Sequence, residues 1–231
     1  MRSGKIGLMS EPLDDPPMNN AFPCIPCFVR QEVCQEADTP AALTRIALAG
    51  NLIDAAAKTG LMEMDVCGAL CRACRDRVSG SASALFRAAD RAEAILYLTD
   101  NAGEIVFDRV LIEALPKTRI RVGVRGSPVI NDATMADAET AGLPDIVPVL
   151  SNGSDAPGTI LEDCSDDFRR AFDASDLIIA KGQGNYESLC ATSKHVFFLL
   201  RIKCSTVAAH MGAPLDTMVI DVPETRTWVN Q

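Results

Sequence analysis

Aromatic side chains make up only 5% of this 231-residue chain, with two histidines, two tyrosines and a single tryptophan in all. So few rings offer no stacking platform for bases, and 22 basic against 31 acidic residues give a net charge of −9. That balance repels phosphate backbones, so no nucleic acid is expected as a partner. No apolar run reaches the roughly 18 residues a membrane helix needs, so no membrane is expected either. Residues 1–20 hold Glu11, Asp14 and Asp15 and lack the apolar core of a secretory signal. Glycine-lysine-serine or -threonine runs are absent, which excludes a Walker loop. Gly182-Gln183-Gly184 lacks a third glycine three residues on, so a dinucleotide fingerprint is weak. There is no Asp-x-Asp pair, which argues against aspartyl-phosphate phosphatase chemistry. Cys-x5-Arg occurs from Cys24, Cys71 and Cys164, but without a glycine in any of these loops to cradle a phosphate.

What is present is ordinary globular composition, 48% apolar and 23% charged, with length for one or two domains. The nine cysteines are an odd number without a secretory signal, which suits reduced thiols and a cytoplasmic location. Residues 1–23, rich in proline and acids, read as a loose leader. From 24 to 91 the period is helical: Ala41, Ala42, Ile46, Ala49, Leu52, Ile53 and Ala56 recur at steps of three and four. Thr39-Pro40 supplies the start of that helix and Gly60 its end, with a second helix expected over 61–77. Beyond 91, short apolar runs (94–98, 120–124, 146–149, 177–180, 196–200 and 218–222) alternate with amphipathic stretches (104–115, 133–141, 166–174 and 186–191). The expected fold is α/β: a doubly wound, mostly parallel, Rossmann-like sheet over 92–231, preceded by a helical N-terminal subdomain over 24–91.

Ligands of such sheets bind outside the carboxyl ends of the strands. Three of those ends carry polar clusters: Thr99-Asp100-Asn101-Ala102-Gly103-Glu104, Arg125-Gly126-Ser127-Pro128-Val129-Ile130-Asn131-Asp132 and Lys181-Gly182-Gln183-Gly184-Asn185. Asp-Asn and Asn-Asp pairs are also turn formers and N-caps, but three clusters at successive strand ends point to a site. Their carboxylates and carboxamides form an oxygen-rich set that suits a hard divalent cation, and two carboxylates leave such an ion near neutral. Arg125 and Lys181 are candidates to hold phosphoryl oxygens. His195 and His210 read as structural.

These segments, with Leu98-Thr99-Asp100-Asn101-Ala102-Gly103-Glu104, Val129-Ile130-Asn131-Asp132-Ala133-Thr134 and Leu200-Arg201-Ile202-Lys203-Cys204 as their clearest parts, resemble the damage-control phosphatases. That family was once a domain of unknown function and is also called acidic-residue-methyltransferase-like. Cys24-Ile25-Pro26-Cys27 is similar to the start of its short, prokaryotic branch. The resemblance implies a metal-dependent phosphatase acting on phosphate monoesters of sugars or damaged metabolites. It implies Mn²⁺, Ni²⁺, Co²⁺ or Mg²⁺ held by Asp100, Asn101 and Asp132. Asp100, Lys181 and Glu104 are then the catalytic candidates, and Arg125, Asn131, Lys181 and Asn185 the substrate-binding ones. The alternative is a non-catalytic, metal-dependent binder of a phosphorylated metabolite.

Two features stand apart. The family carries a longer helical segment after its Cys-x-x-Cys, whereas here about 20 residues lead from Cys27 to Ala47. Cys24, Cys27, Cys71 and Cys74 have the pair spacing of a four-thiolate zinc site, but 43 residues separate the pairs. Cys67, Cys71 and Cys74 also share one helix face, which suits packing; redox chemistry is a third reading.

Overall fold

The computed structural model describes residues 39–57 and 76–221, with side chains over 39–50 and 76–221. The order is α1 (Pro40–Ala57), β1 (Val78–Gly80), α2 (Ala82–Arg91), β2 (Ile95–Leu98), α3 (Ile105–Ala114), β3 (Ile120–Val124) and α4 (Met135–Thr140). There follow β4 (Val149–Ser151), α5 (Asp166–Ala174), β5 (Leu177–Lys181), α6 (Gly182–Leu189), β6 (Val196–Arg201), α7 (Ser205–Met211) and β7 (Met218–Asp221). The seven strands form one sheet in the order β1-β7-β6-β5-β2-β3-β4. Five run parallel from β6 to β4, while β7 pairs antiparallel with β6 and β1 parallel with β7. The expected α/β, mostly parallel architecture is the one observed.

Every residue of β2 and β5 is buried, as continuous apolar runs require of strands covered on both faces. Alternation then sorts the side chains. Ile95 and Tyr97 join a core with α1, α2, α3 and α4, while Leu96 and Leu98 join one with α5, α6 and α7. Caps fix the helix starts: the Ser81 and Ser165 hydroxyls accept from the Ala84 and Phe168 amides, and Thr134 with Asp137 forms a capping box.

Three departures from the sequence pattern have physical reasons. β1 lies inside the stretch read as helical; three residues are too short for any period to show. The fourth strand begins at Val149 rather than 146, because Val147 packs into the core and Pro148 has no N–H for the ladder. Helix α6 starts at Gly182, directly off β5, with Gly182 itself (φ 77°) making the turn. The expected helix over 61–77, the leader and the pairs Cys24/Cys27 and Cys71/Cys74 with their zinc reading lie largely or wholly outside the described residues.

The chain passes from β2 through β3 to β4 on one side, then returns to β5 on the other side of β2. The carboxyl ends of β2 and β5 therefore flank the switch point, the crevice where such sheets take ligands.

Candidate metal centre

Backbone bonds stitch the loops after β2 and β3 together at that crevice. The Ala133 amide donates to the Asp100 carbonyl at 2.7 Å and the Ala102 amide to the Asn131 carbonyl at 2.8 Å. Asn101 and Asp132 are thereby paired in an antiparallel bridge, although 30 residues separate them. Ile130, 81% exposed, carries the sharp turn before them at φ 50°, a left-handed conformation strained for a β-branched residue. From the β5 side, Gly182 lies beneath the Asp100 carboxylate so closely that a Cβ there would stand 2.0 Å from Oδ2. Only glycine admits that approach.

Asp100, Asn101, Glu104 and Asp132 thus meet. Burial first, then the charges of Glu104 and Asp132, push the Asp100 carboxyl up to about 8, against the opposing pull of Lys181 and Lys203. The Asn101 amide Nδ2 donates to Asp100 Oδ2 at 3.0 Å and to Glu104 Oε1, which leaves its carbonyl Oδ1 as the group available to a cation. Asp132 Oδ2 accepts from Arg125 Nε at 2.6 Å, both side chains being almost wholly buried.

Behind this front lies a closed ionic layer. Lys181 is fully buried, and Nζ donates to the Ala47 carbonyl (2.9 Å), Glu104 Oε2 (3.0 Å) and Asp108 Oδ1 (2.5 Å). Burial alone would lower its pKa, but the Asp108 and Glu104 carboxylates outweigh it and hold the ammonium above its ordinary range. Asp108 is raised by burial to about 6, opposed by Lys181. Asn185 is also fully committed: Oδ1 accepts from Thr159 Oγ1 (2.7 Å) and Arg125 Nη2 (3.3 Å), and Nδ2 donates to the Thr99 and Lys181 carbonyls. The remaining Arg125 nitrogen, Nη1, reaches Thr159 Oγ1 at 3.1 Å.

All the candidate site residues therefore converge, in two layers. Asp100, Asn101, Asn131 and Asp132 stand on the two stitched loops, while Glu104, Lys181, Arg125 and Asn185 form the support behind them. Tyr97, Asp108, Thr159 and Lys203 were not singled out by sequence. Asp108 stands one helical turn after Glu104, a spacing open to view, and the exposed Lys203 follows β6 at another strand end. Thr159 comes from a loop with no local signal.

The donor set fits a divalent cation. Among the described residues no three His, Cys, Asp or Glu side chains form a cage by themselves; the candidate donors here are two carboxylates and a carboxamide. Such a set leaves positions for water and phosphate, as hard ions prefer. Four carboxylates, Asp100, Glu104, Asp108 and Asp132, gather around the two buried cations Arg125 and Lys181, and Asp100 is the one of them without an ion pair of its own, an acidic surplus that a bound cation would offset.

Fold and site together define an α/β protein with an acidic, oxygen-rich candidate cation site at its switch point. The chain belongs to the damage-control phosphatase ARMT1-like domain family, whose profile matches residues 20–219. It is 37% identical over 180 residues to damage-control phosphatase PH1575 of Pyrococcus horikoshii, covering 76% of this chain and 62% of that protein. It is 42% identical over 134 residues to a damage-control phosphatase of Archaeoglobus fulgidus, covering 56% of this chain and 46% of that protein. Uncharacterized protein MJ0202 of Methanocaldococcus jannaschii is 46% identical over 132 residues, covering 54% of this chain and 43% of that protein. The match spans less than two thirds of each of these relatives. The crystal structure of the DUF89 family protein from P. horikoshii superposes with a TM-score of 0.77 at 33% identity, over 85% of this chain and 69% of that one.

Proposed function

We propose that the chain is a divalent-metal-dependent phosphatase that hydrolyses phosphate monoesters of sugars or damaged metabolites. The observation that carries this reading is the meeting of Asp100, Asn101 and Asp132 at the switch point, with Asp100 left without an ion pair. Those three residues would hold Mn²⁺, Ni²⁺, Co²⁺ or Mg²⁺. When bound, the ion polarises the phosphoryl group and offsets its charge. Asp100 is the catalytic carboxylate, kept against the crevice by Gly182. Glu104 orients the Asn101 amide and Arg125 orients Asp132. Lys181 acts through Glu104 rather than on the phosphate, since its three protons are already placed. Lys203, exposed and near enough to bias Asp100, supplies positive charge for the phosphate at the rim, and Asn131, on the loop stitched to that of Asp100, is a further candidate contact. Among the described residues no helix is long and apolar enough to cross a membrane, and Cys164 and Cys204 are thiols, in keeping with a cytoplasmic location.

A second reading, a metal-dependent binder of a phosphorylated metabolite without turnover, is favoured by the inward commitment of Lys181 and Arg125. Phosphate release separates the two. Chelator-stripped protein is supplied with each ion and offered p-nitrophenyl phosphate and a panel of sugar phosphates. Turnover that needs the ion and is lost in Asp100→Ala is the expected result. A metal-dependent rise in melting temperature without turnover would replace this reading with the binder.

A further inference from the structure

A single carboxylate is enough to neutralise a buried lysine, and Glu104 already reaches both Lys181 and Asn101. Yet the chain buries a second carboxylate completely. Asp108 Oδ1 accepts from Lys181 Nζ at 2.5 Å and from the Tyr97 hydroxyl at 2.9 Å, while Oδ2 has no hydrogen-bond partner. Leaving one oxygen of a buried carboxylate unmatched is costly, so the group is retained for what it does to its neighbours. Tyr97 is itself fully buried on β2, with burial and the Asp108 charge keeping its hydroxyl protonated as a donor.

The bonds form one chain: Tyr97 to Asp108, Asp108 to Lys181, Lys181 to Glu104, Glu104 to Asn101, Asn101 to Asp100. We propose that Asp108 and Tyr97 are positioning residues of the metal centre. They hold Lys181 on two anions at once, so that Glu104 keeps one oxygen for the Asn101 amide and Asn101 keeps its carbonyl turned to the cation. Without Asp108, Lys181 would draw on Glu104 alone and pull it from Asn101. The inference rests on the metal-centre reading above and extends it to residues that do not touch the ion.

The test is Mn²⁺ binding by titration calorimetry on the stripped full-length chain, wild type beside Asp108→Asn and Tyr97→Phe. Supporting partners of metal ligands typically matter by about 10- to 100-fold in affinity, and that loss is expected for Asp108→Asn. Because that variant also removes a charge, Tyr97→Phe isolates positioning: it removes one hydroxyl, leaves the charge unchanged, and should weaken Mn²⁺ in the same direction by less. In turnover assays, the Mn²⁺ concentration for half-maximal rate should rise by a larger factor than the maximal rate falls. General loosening of the fold would not separate the two in that way. Should Asp108→Asn fail to fold, Tyr97→Phe decides alone. Wild-type affinity in the variants that fold overturns this inference and leaves the metal centre standing. A wild type that takes up none of the four ions overturns both.

Discussion

At the residue scale, the site depends on contacts that allow almost no substitution. Gly182 combines a positive φ with a carboxylate 2.0 Å from where a Cβ would be. Gly182→Ala should lower stability by about 1–2 kcal/mol from the backbone alone and displace Asp100 as well. It should therefore abolish the Mn²⁺-dependent rise in melting temperature, a larger effect than its own destabilisation. Asp100 also sets a pH dependence. Its carboxyl is raised to about 8, so in the metal-free protein it is protonated in the folded state where the unfolded chain is ionised. That contribution to stability is fully present below the ordinary carboxyl range, declines as pH rises from there, and is lost above about 8. A cation binds the ionised form, so the Mn²⁺-induced shift in melting temperature should grow from pH 6 to pH 8 and then level. An Mn²⁺ shift that is flat across this range would contradict the assignment of Asp100. Sequence exposed these acids and amides because they follow strands directly. It could not show that Lys181, Arg125 and Asn185 turn inward, since both orientations look alike in a string of residues.

At the element scale, α1 serves the site through its backbone. Gly50 brings α1 onto α3, where a Cβ would lie 3.2 Å from the Glu104 Cα and 3.3 Å from the Phe107 ring, and the nearby Ala47 carbonyl accepts from Lys181. Gly50→Leu should force the helices apart at a cost of about 1–3 kcal/mol, read by chemical denaturation, and weaken Mn²⁺ binding together with stability. The helical period of α1 and the apolar runs that fill β2 and all but the last residue of β5 and β6 were legible because each repeats one physical requirement several times. β1 was not, and β4 was legible as a strand but not in its bounds, because sheet edges demand little of their sequence.

At the scale of the whole molecule, a chain of net charge −9 gathers four carboxylates at one crevice around two buried cations, with Asp100 left without an ion pair. An excess of this kind, gathered by a switch point from segments far apart in sequence, is what an ion must complete before an anionic phosphate can approach. The fold class followed from alternating strand and helix patterns, and the site from reading what came after each strand. The ionic layer behind it, from Tyr97 to Asn101, required three dimensions. The most direct test is an anomalous diffraction map from crystals soaked in Mn²⁺. The account predicts a peak bounded by Asp100, Asn101 and Asp132, absent in Asp100→Ala. A fully folded protein with no peak there would contradict it.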